Sequence, residues 1–289
     1  MRTLKKYLSL IKFSHTIFAM PFALIGFSLG LKANSIQSDS RQLAYKFIAV
    51  VFCMVFARSA AMAFNRYLDK NIDAKNPRTA IREIPAGKIK PSHALAFTIL
   101  CSLLFIISAW YINSLCFYLS FLALFVILFY SYTKRFTALC HLVLGLGLSL
   151  APIGAYIALT ETFDLLPLLF SFIVLCWVSG FDIIYSMQDE EFDKSQQLHS
   201  IPAVVGKKNA LRISVCLHLI TGMLVIYAGF FGQFSYFYWI GAIVFLGMLI
   251  YQHSIVKPND LSKVNVAFMT ANGIASVVLA VFVLLDLFF

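Results

Sequence analysis

The sequence predicts an all-α integral membrane protein: nine transmembrane helices in one bundle, with two Asp-rich loops on the cytoplasmic side. Three observations carry that reading. Of the 289 residues, 61% are hydrophobic and only 12% charged, about half the charge of an ordinary soluble domain. Mean hydropathy is +0.84, and the apolar runs reach the roughly 20 residues a helix needs to cross a bilayer. No run alternates polar and apolar residues as a barrel strand does.

From the N-terminus, Arg2, Lys5, Lys6 and Lys12 precede an apolar run that begins near Phe13. The arrangement is like a signal peptide, but no convincing small-x-small cleavage site follows, so it reads as a retained first helix. Spans are expected near 13–32, 43–65, 92–111, 114–132, 137–159, 164–187, 209–230, 234–252 and 265–288. Ile112-Asn113-Ser114 and Gly232-Gln233 are turns short enough to make the helices they join antiparallel neighbours. The chain reads as a single polytopic domain over 1–289, with no soluble module and no low-complexity linker.

Lys and Arg fall on one side. Segment 66–90 carries seven of them, and Lys134, Arg135, Lys194, Lys207, Lys208, Arg212, Lys257 and Lys263 lie in later loops of the same side. The other side has only Lys32, Arg41 and Lys46. The positive-inside rule therefore places the N-terminus and both long loops in the cytoplasm, and nine spans place Phe289 outside. The net charge of +10 reflects this topology and contact with anionic membrane lipid rather than binding to nucleic acid.

The acids cluster as well. Asp69, Asp73 and Glu83 form one group, and Asp182, Asp189, Glu190, Glu191 and Asp193 another, each where a span leads into a long loop. Asn65, Asp69 and Asp73 are spaced i, i+4, i+8, which stacks them on one helix face. Asp182, Asp189 and Asp193 are spaced i, i+7, i+11, and Tyr185 joins their face. Stacked carboxylates repel one another unless a cation lies between them. Mg²⁺ suits them, since it takes oxygen ligands, usually one or two carboxylates plus substrate phosphates. Two facing clusters could hold a diphosphate through bridging ions. Arg78, Arg82, Lys134, Arg135 and Lys194 lie beside the clusters and would complete neutralisation of such a group. The halves echo each other. Asp69-x-x-x-Asp73 leads to Ile84-Pro85-Ala86 and Asp189-x-x-x-Asp193 to Ile201-Pro202-Ala203, a weak repeat that favours a site between halves.

Asn65-Arg66-Tyr67-Leu68-Asp69-Lys70-Asn71-Ile72-Asp73, with Asn76-Pro77-Arg78 behind it, is similar to the first signature of the UbiA superfamily of membrane prenyltransferases. Asp182-x-x-Tyr185-x-x-x-Asp189-x-x-x-Asp193 resembles the second, and Tyr130-x-x-x-Lys134 looks like the element that closes the family's fourth helix. Ser200-Ile201-Pro202 and Gly206 also match. The motifs span 65–78 and 182–193, and the resemblance covers about 12–288. One position departs: Arg66 stands where the family usually has Asp, as in a subgroup that includes bacterial quinone-pathway enzymes.

The resemblance implies a nine-helix UbiA-type fold with a lateral opening to the bilayer, in the cytoplasmic membrane of a bacterium. It implies that Asn65, Asp69 and Asp73 hold one Mg²⁺ and Asp189 and Asp193 a second. Arg78 and Lys134 would clamp the diphosphate with Tyr130 and Arg82 near them, and Asp182 would orient the aromatic acceptor or take its proton. The implied reaction moves a polyprenyl group from a polyprenyl diphosphate to a hydroxylated aromatic acid. That acceptor is 4-hydroxybenzoate, for ubiquinone, with a dihydroxynaphthoate, for menaquinone, or another aromatic used in the family as the alternatives. An ion-coupled transporter would also carry intramembrane acids, but it does not account for two D-x-x-x-D clusters flanked by Arg and Lys. A CDP-alcohol phosphotransferase needs a D-G-x-x-A-R element that the chain lacks. The six cysteines lie singly in apolar runs and read as buried hydrophobes. His93, His141, His199, His218 and His253 show no metal-ligand spacing and receive no role.

Overall fold

A computed structural model describes residues 2–11, 18–33 and 40–289. The helices in order are α1 (Arg2–Leu10), α2 (Met20–Ala33), α3 (Ser40–Leu68), α4 (Lys70–Lys75), α5 (Pro91–Ile112), α6 (Ser114–Thr133), α7 (Cys140–Thr160), α8 (Leu165–Ser186), α9 (Glu190–Ser195), α10 (Ile201–Phe231), α11 (Tyr236–Ile255) and α12 (Asn272–Phe288). A π-helical turn, Val266–Ala271, leads into α12. Among the described residues, eight helices are long and apolar enough to cross a membrane. α2 is apolar but has 14 residues, fewer than the roughly 20 of a full crossing. Positions 12–17, which the sequence reading gives largely to the first span, lie outside the described residues. α1 is a separate helix that the sequence reading does not anticipate.

The ends of the spans follow local chemistry. Asn113 links α5 to α6: its side chain accepts from Cys116 N at 2.7 Å, capping α6, and donates to Ile157 O of α7 at 3.0 Å. Pro91 opens α5 at a position that needs no N–H donor. Ser200 caps α10, with Pro202 behind it, so this helix begins eight residues before the expected start at 209. Gly206, at φ 78°, then bends it. That left-handed conformation suits glycine and separates a short loop-side turn from the span proper.

α8 is the centre of the bundle: 72% of its apolar window is buried, against 17% for α6. Trp177 of α8 is fully buried, with its ring 5.4 Å from Phe22 of α2 and 5.7 Å from Phe245 of α11. Its indole N–H donates to Asn272 Oδ1 at 2.9 Å, which satisfies the one polar atom of a large buried ring. The exposed apolar side chains, such as Tyr111, Phe125 and Ile250, suit a surface solvated by lipid.

α2 and α7 approach closely at Gly26, where an added Cβ would lie 2.7 Å from the carbonyl carbon of Pro152. Backbone cannot yield there, so Gly26→Val is expected to cost about 1–3 kcal/mol by overpacking. A lower melting temperature in detergent is the readout, and an unchanged one would contradict this contact.

Candidate active site

The short connections bring the C-terminal ends of α3, α6 and α8 and the N-terminal ends of α7 and α10 to one end of the bundle. There they enclose a cavity of about 160 Å³. Asn65, Asp69, Asp73, Arg78, Arg82, Tyr130, Lys134, Asp182, Asp189 and Asp193 all line it. The two motifs, more than 100 positions apart in sequence, face each other across this space.

The first motif is a helix continued through a break. α3 stops at Leu68 and α4 starts at Lys70, yet Asp69 N bonds Asn65 O at 2.9 Å and Asp73 N bonds Asp69 O at 2.7 Å. The helical bond pattern therefore survives and keeps the three side chains on one face. Asn65 Nδ2 donates to Asp69 Oδ2 at 3.0 Å. In the second motif a 3-10 turn, Met187–Asp189, joins α8 to α9. Tyr185 is set from behind, its ring 4.3 Å from that of Phe268 in the π-helical turn.

Each metal-type aspartate holds a basic side chain. Arg135 donates to Asp69 Oδ1 at 2.7 Å, Arg82 to Asp73 Oδ1 at 2.6 Å, and Lys134 Nζ lies 2.7 Å from Asp193 Oδ1. Arg78 grips Asp189 through two nitrogens, its Nε at 3.0 Å, and donates to Tyr185 Oη at 3.0 Å. Asn76 Nδ2 adds a bond to Asp189 at 3.1 Å, and Ser200 Oγ one to Asp193 Oδ2 at 2.7 Å. The Arg78–Asp189 and Asn76–Asp189 bonds cross between the motifs, and Lys75 Nζ donates to Gln196 Oε1, just past the second motif, at 3.2 Å. Burial pushes the Asp69 carboxyl above its ordinary range against the pull of Arg135. Burial disfavours the charge on Arg78, but the hydrogen bond and attraction of Asp189 outweigh it and raise its proton affinity.

The donor set fits Mg²⁺. It is all oxygen, and Asp73 Oδ2 is buried with no hydrogen-bond partner. Among the described residues no three His, Cys, Asp or Glu side chains converge into a ready-made metal cage. Mg²⁺ needs none when substrate phosphates supply ligands.

The structure adds to the sequence reading at three residues. His141, given no role there, lines the cavity with Nδ1 2.7 Å from Asp182 Oδ2. No spacing signal marks it, because it begins a different helix. Asn76 shows its role only as a cross-motif bond. Arg66 lines the cavity at 6% exposure and makes no ion pair among the described residues, unlike the four paired cations beside it. Arg58 lies outside the cavity wall, and its Nε is buried with no hydrogen-bond partner among the described residues.

A model described as the UbiA prenyltransferase family matches residues 19–274. The chain belongs to the UbiA prenyltransferase family. It is a membrane enzyme of that family, as its motifs and its helical architecture led one to expect. Among UbiA relatives, the 4-hydroxybenzoate octaprenyltransferase of Tolumonas auensis is 30% identical over 234 residues, 81% of this chain and 80% of that one. The protein of the same name from Nitrosomonas europaea is 31% identical over 247 residues, 84% and 83% of the two chains. The apo structure of a UbiA homolog from Aeropyrum pernix K1 superposes with a TM-score of 0.78 at 28% identity, covering 93% of this chain and 95% of that one. A UbiA homolog from Archaeoglobus fulgidus, solved bound to DMAPP and Mg²⁺, shares the fold with a TM-score of 0.74 at 19% identity, covering 98% and 99%.

Proposed function

We propose that this chain, acting as one domain over its whole length, transfers a polyprenyl group from a polyprenyl diphosphate to a hydroxylated aromatic acid. An acceptor of the 4-hydroxybenzoate kind would place it in ubiquinone or menaquinone biosynthesis. The observation that carries the reading is the convergence of two Asp-rich motifs on one cavity walled by Arg and Lys. The names of the relatives at about 30% identity support the aromatic acceptor.

Asn65, Asp69 and Asp73 would hold one Mg²⁺, and Asp189 and Asp193 another. Bound Mg²⁺ would supply Lewis-acid charge to the diphosphate oxygens. Arg78, Arg82 and Lys134 trade their aspartate partners for diphosphate oxygens, with Tyr130 beside them, and stabilise charge as the allylic C–O bond ionises. Arg66 forms no ion pair among the described residues, so its charge would meet the diphosphate without first leaving an aspartate. Ile72, Phe192 and Leu198 form an apolar part of the wall that would keep water from the allylic cation. The ring carbon of the acceptor attacks that cation, Asp182 engages the ring hydroxyl, and the proton on the attacked carbon passes to the released diphosphate or to the Asp182 carboxylate. The positive-inside pattern supports a cytoplasmic position for this end of the bundle, and the bacterial relatives support a bacterial inner membrane.

The test is product formation by the purified protein in lipid nanodiscs, with a polyprenyl diphosphate and Mg²⁺. 4-Hydroxybenzoate and a dihydroxynaphthoate are offered in parallel. A prenylated product from one of them, identified by mass, is the expected result and selects the branch. Prenyl alcohol alone, with neither acceptor modified, would contradict the acceptor class.

A further inference from the structure

His141 opens α7, a helix that brings no aspartate to the cavity. It is 3% exposed, and its ring reaches two other segments. Nδ1 lies 2.7 Å from Asp182 Oδ2 on α8, and Ile201 N–H, on the first turn of α10, donates to Nε2 at 3.3 Å. A peptide N–H can only donate. Nε2 is therefore the acceptor, and the ring proton sits on Nδ1, toward Asp182. Ser186 Oγ stands 3.5 Å from Nε2, but its hydroxyl is engaged with Ile183 O at 2.9 Å. Asp182 makes no other side-chain hydrogen bond among the described residues, and its side chain keeps 17% of its surface open on the cavity wall.

The backbone makes this contact possible. One turn along α7, Gly145 meets α8 so closely that an added Cβ would lie 2.5 Å from Leu175 O. Ser179 Oγ of α8, whose hydroxyl donates to Leu175 O at 2.7 Å, also stands 3.2 Å from His141 O, which marks how closely the two helices meet there.

We propose that His141 is a positioning residue for the aromatic acceptor. It holds one oxygen of Asp182 so that the other receives the ring hydroxyl. This rests on the acceptor class proposed above. A hydroxyl that donates to a fixed carboxylate pushes electron density onto the ring carbons beside it, which are the atoms that attack the allylic carbon. A fixed carboxylate also orients the ring, which lowers the entropy cost of attack. A purely structural histidine would tie α7, α8 and α10 together, and its loss would lower stability without a selective effect on the acceptor.

The test compares His141→Leu, which removes both ring bonds, with His141→Asn, whose amide falls near the Nδ1 position and can still donate to Asp182. His141→Gln places its amide near the Nε2 position and loses that bond. Asp182→Asn and the double variant Asp182→Asn with His141→Leu complete the set. Acceptor kcat/KM is expected to fall about 100-fold in the Leu and Gln variants, within the range of acid–base effects. Mg²⁺-dependent binding of geranyl thiolodiphosphate should stay at the wild-type level, and the Asn variant should recover acceptor kcat/KM to within about tenfold. Because the two residues act as one unit, the double variant should be no worse than Asp182→Asn. If the Leu variant does not fold, the Asn-over-Gln ranking carries the same test. The proposal is overturned by any of three results: wild-type acceptor kinetics in the Leu or Gln variant, equal losses in Asn and Gln, or losses that multiply in the double variant. Turnover by the wild type with those results sinks the His141 role alone. No turnover by the wild type with any hydroxylated aromatic acid sinks the function reading, and the His141 role with it.

Discussion

Asp189→Asn is expected to reduce turnover by about 1,000-fold or more, in the range seen when a group stabilising transition-state charge is removed. The substitution changes one oxygen to an amide, so it hardly alters volume. It acts on charge at the point where the motifs meet. Asp189 receives Arg78 twice and Asn76 once, and all three bonds cross from the first motif to the second. An amide there can no longer serve as an anionic metal ligand and offers Arg78 a single acceptor atom. The fold should survive, since Arg78 is 32% exposed and can be solvated when released. The checks are kcat and KM on purified protein, with monodisperse elution in detergent showing intact insertion and folding. Turnover within about tenfold of wild type would remove Asp189 from the site.

Lys134→Ala is expected to act on the donor rather than the acceptor. Lys134 caps the end of α6 and reaches Asp193, whose side chain is fully buried. Losing a charged hydrogen-bond donor to a diphosphate costs about 1.5–3 kcal/mol, or about 10- to 150-fold in donor kcat/KM. The variant will also melt lower, because Asp193 keeps only Ser200 as a partner. Stability therefore does not distinguish the roles, whereas the split between substrates does. Acceptor KM should stay near wild type while donor KM rises. An unchanged donor KM and kcat would contradict the assignment.

Hydropathy alone located seven of the spans to within about three residues, because a lipid-facing helix must be apolar along its whole length, while the first expected span falls partly on residues 12–17, outside the described ones. α10 is the exception. Its first turn, ahead of Gly206, carries Lys207 and Lys208 close behind and so reads as loop, yet Ser200 caps a real helical turn there. The two motifs were legible because carboxylates at helical spacing in a charge-poor chain need a cationic partner. The pairing of Asp69, Asp189 and Asp193 with Arg135, Arg78 and Lys134 was less legible, since each of these ion pairs joins residues from different segments, whereas Arg82 and Asp73 lie nine positions apart in one segment. His141 was invisible for the same reason. Its partner Asp182 is 41 positions away, and the contact depends on the close approach of α7 and α8 at Gly145.

The account's central claim is that both motifs act together as one Mg²⁺-dependent diphosphate site. The most direct measurement is the binding of geranyl thiolodiphosphate to the purified protein across a Mg²⁺ titration, for wild type, Asp73→Asn and Asp193→Asn. The account predicts tight binding with Mg²⁺, loss of binding with EDTA, and a large loss in either variant. Binding that survives EDTA, or that needs one motif but not the other, would contradict it.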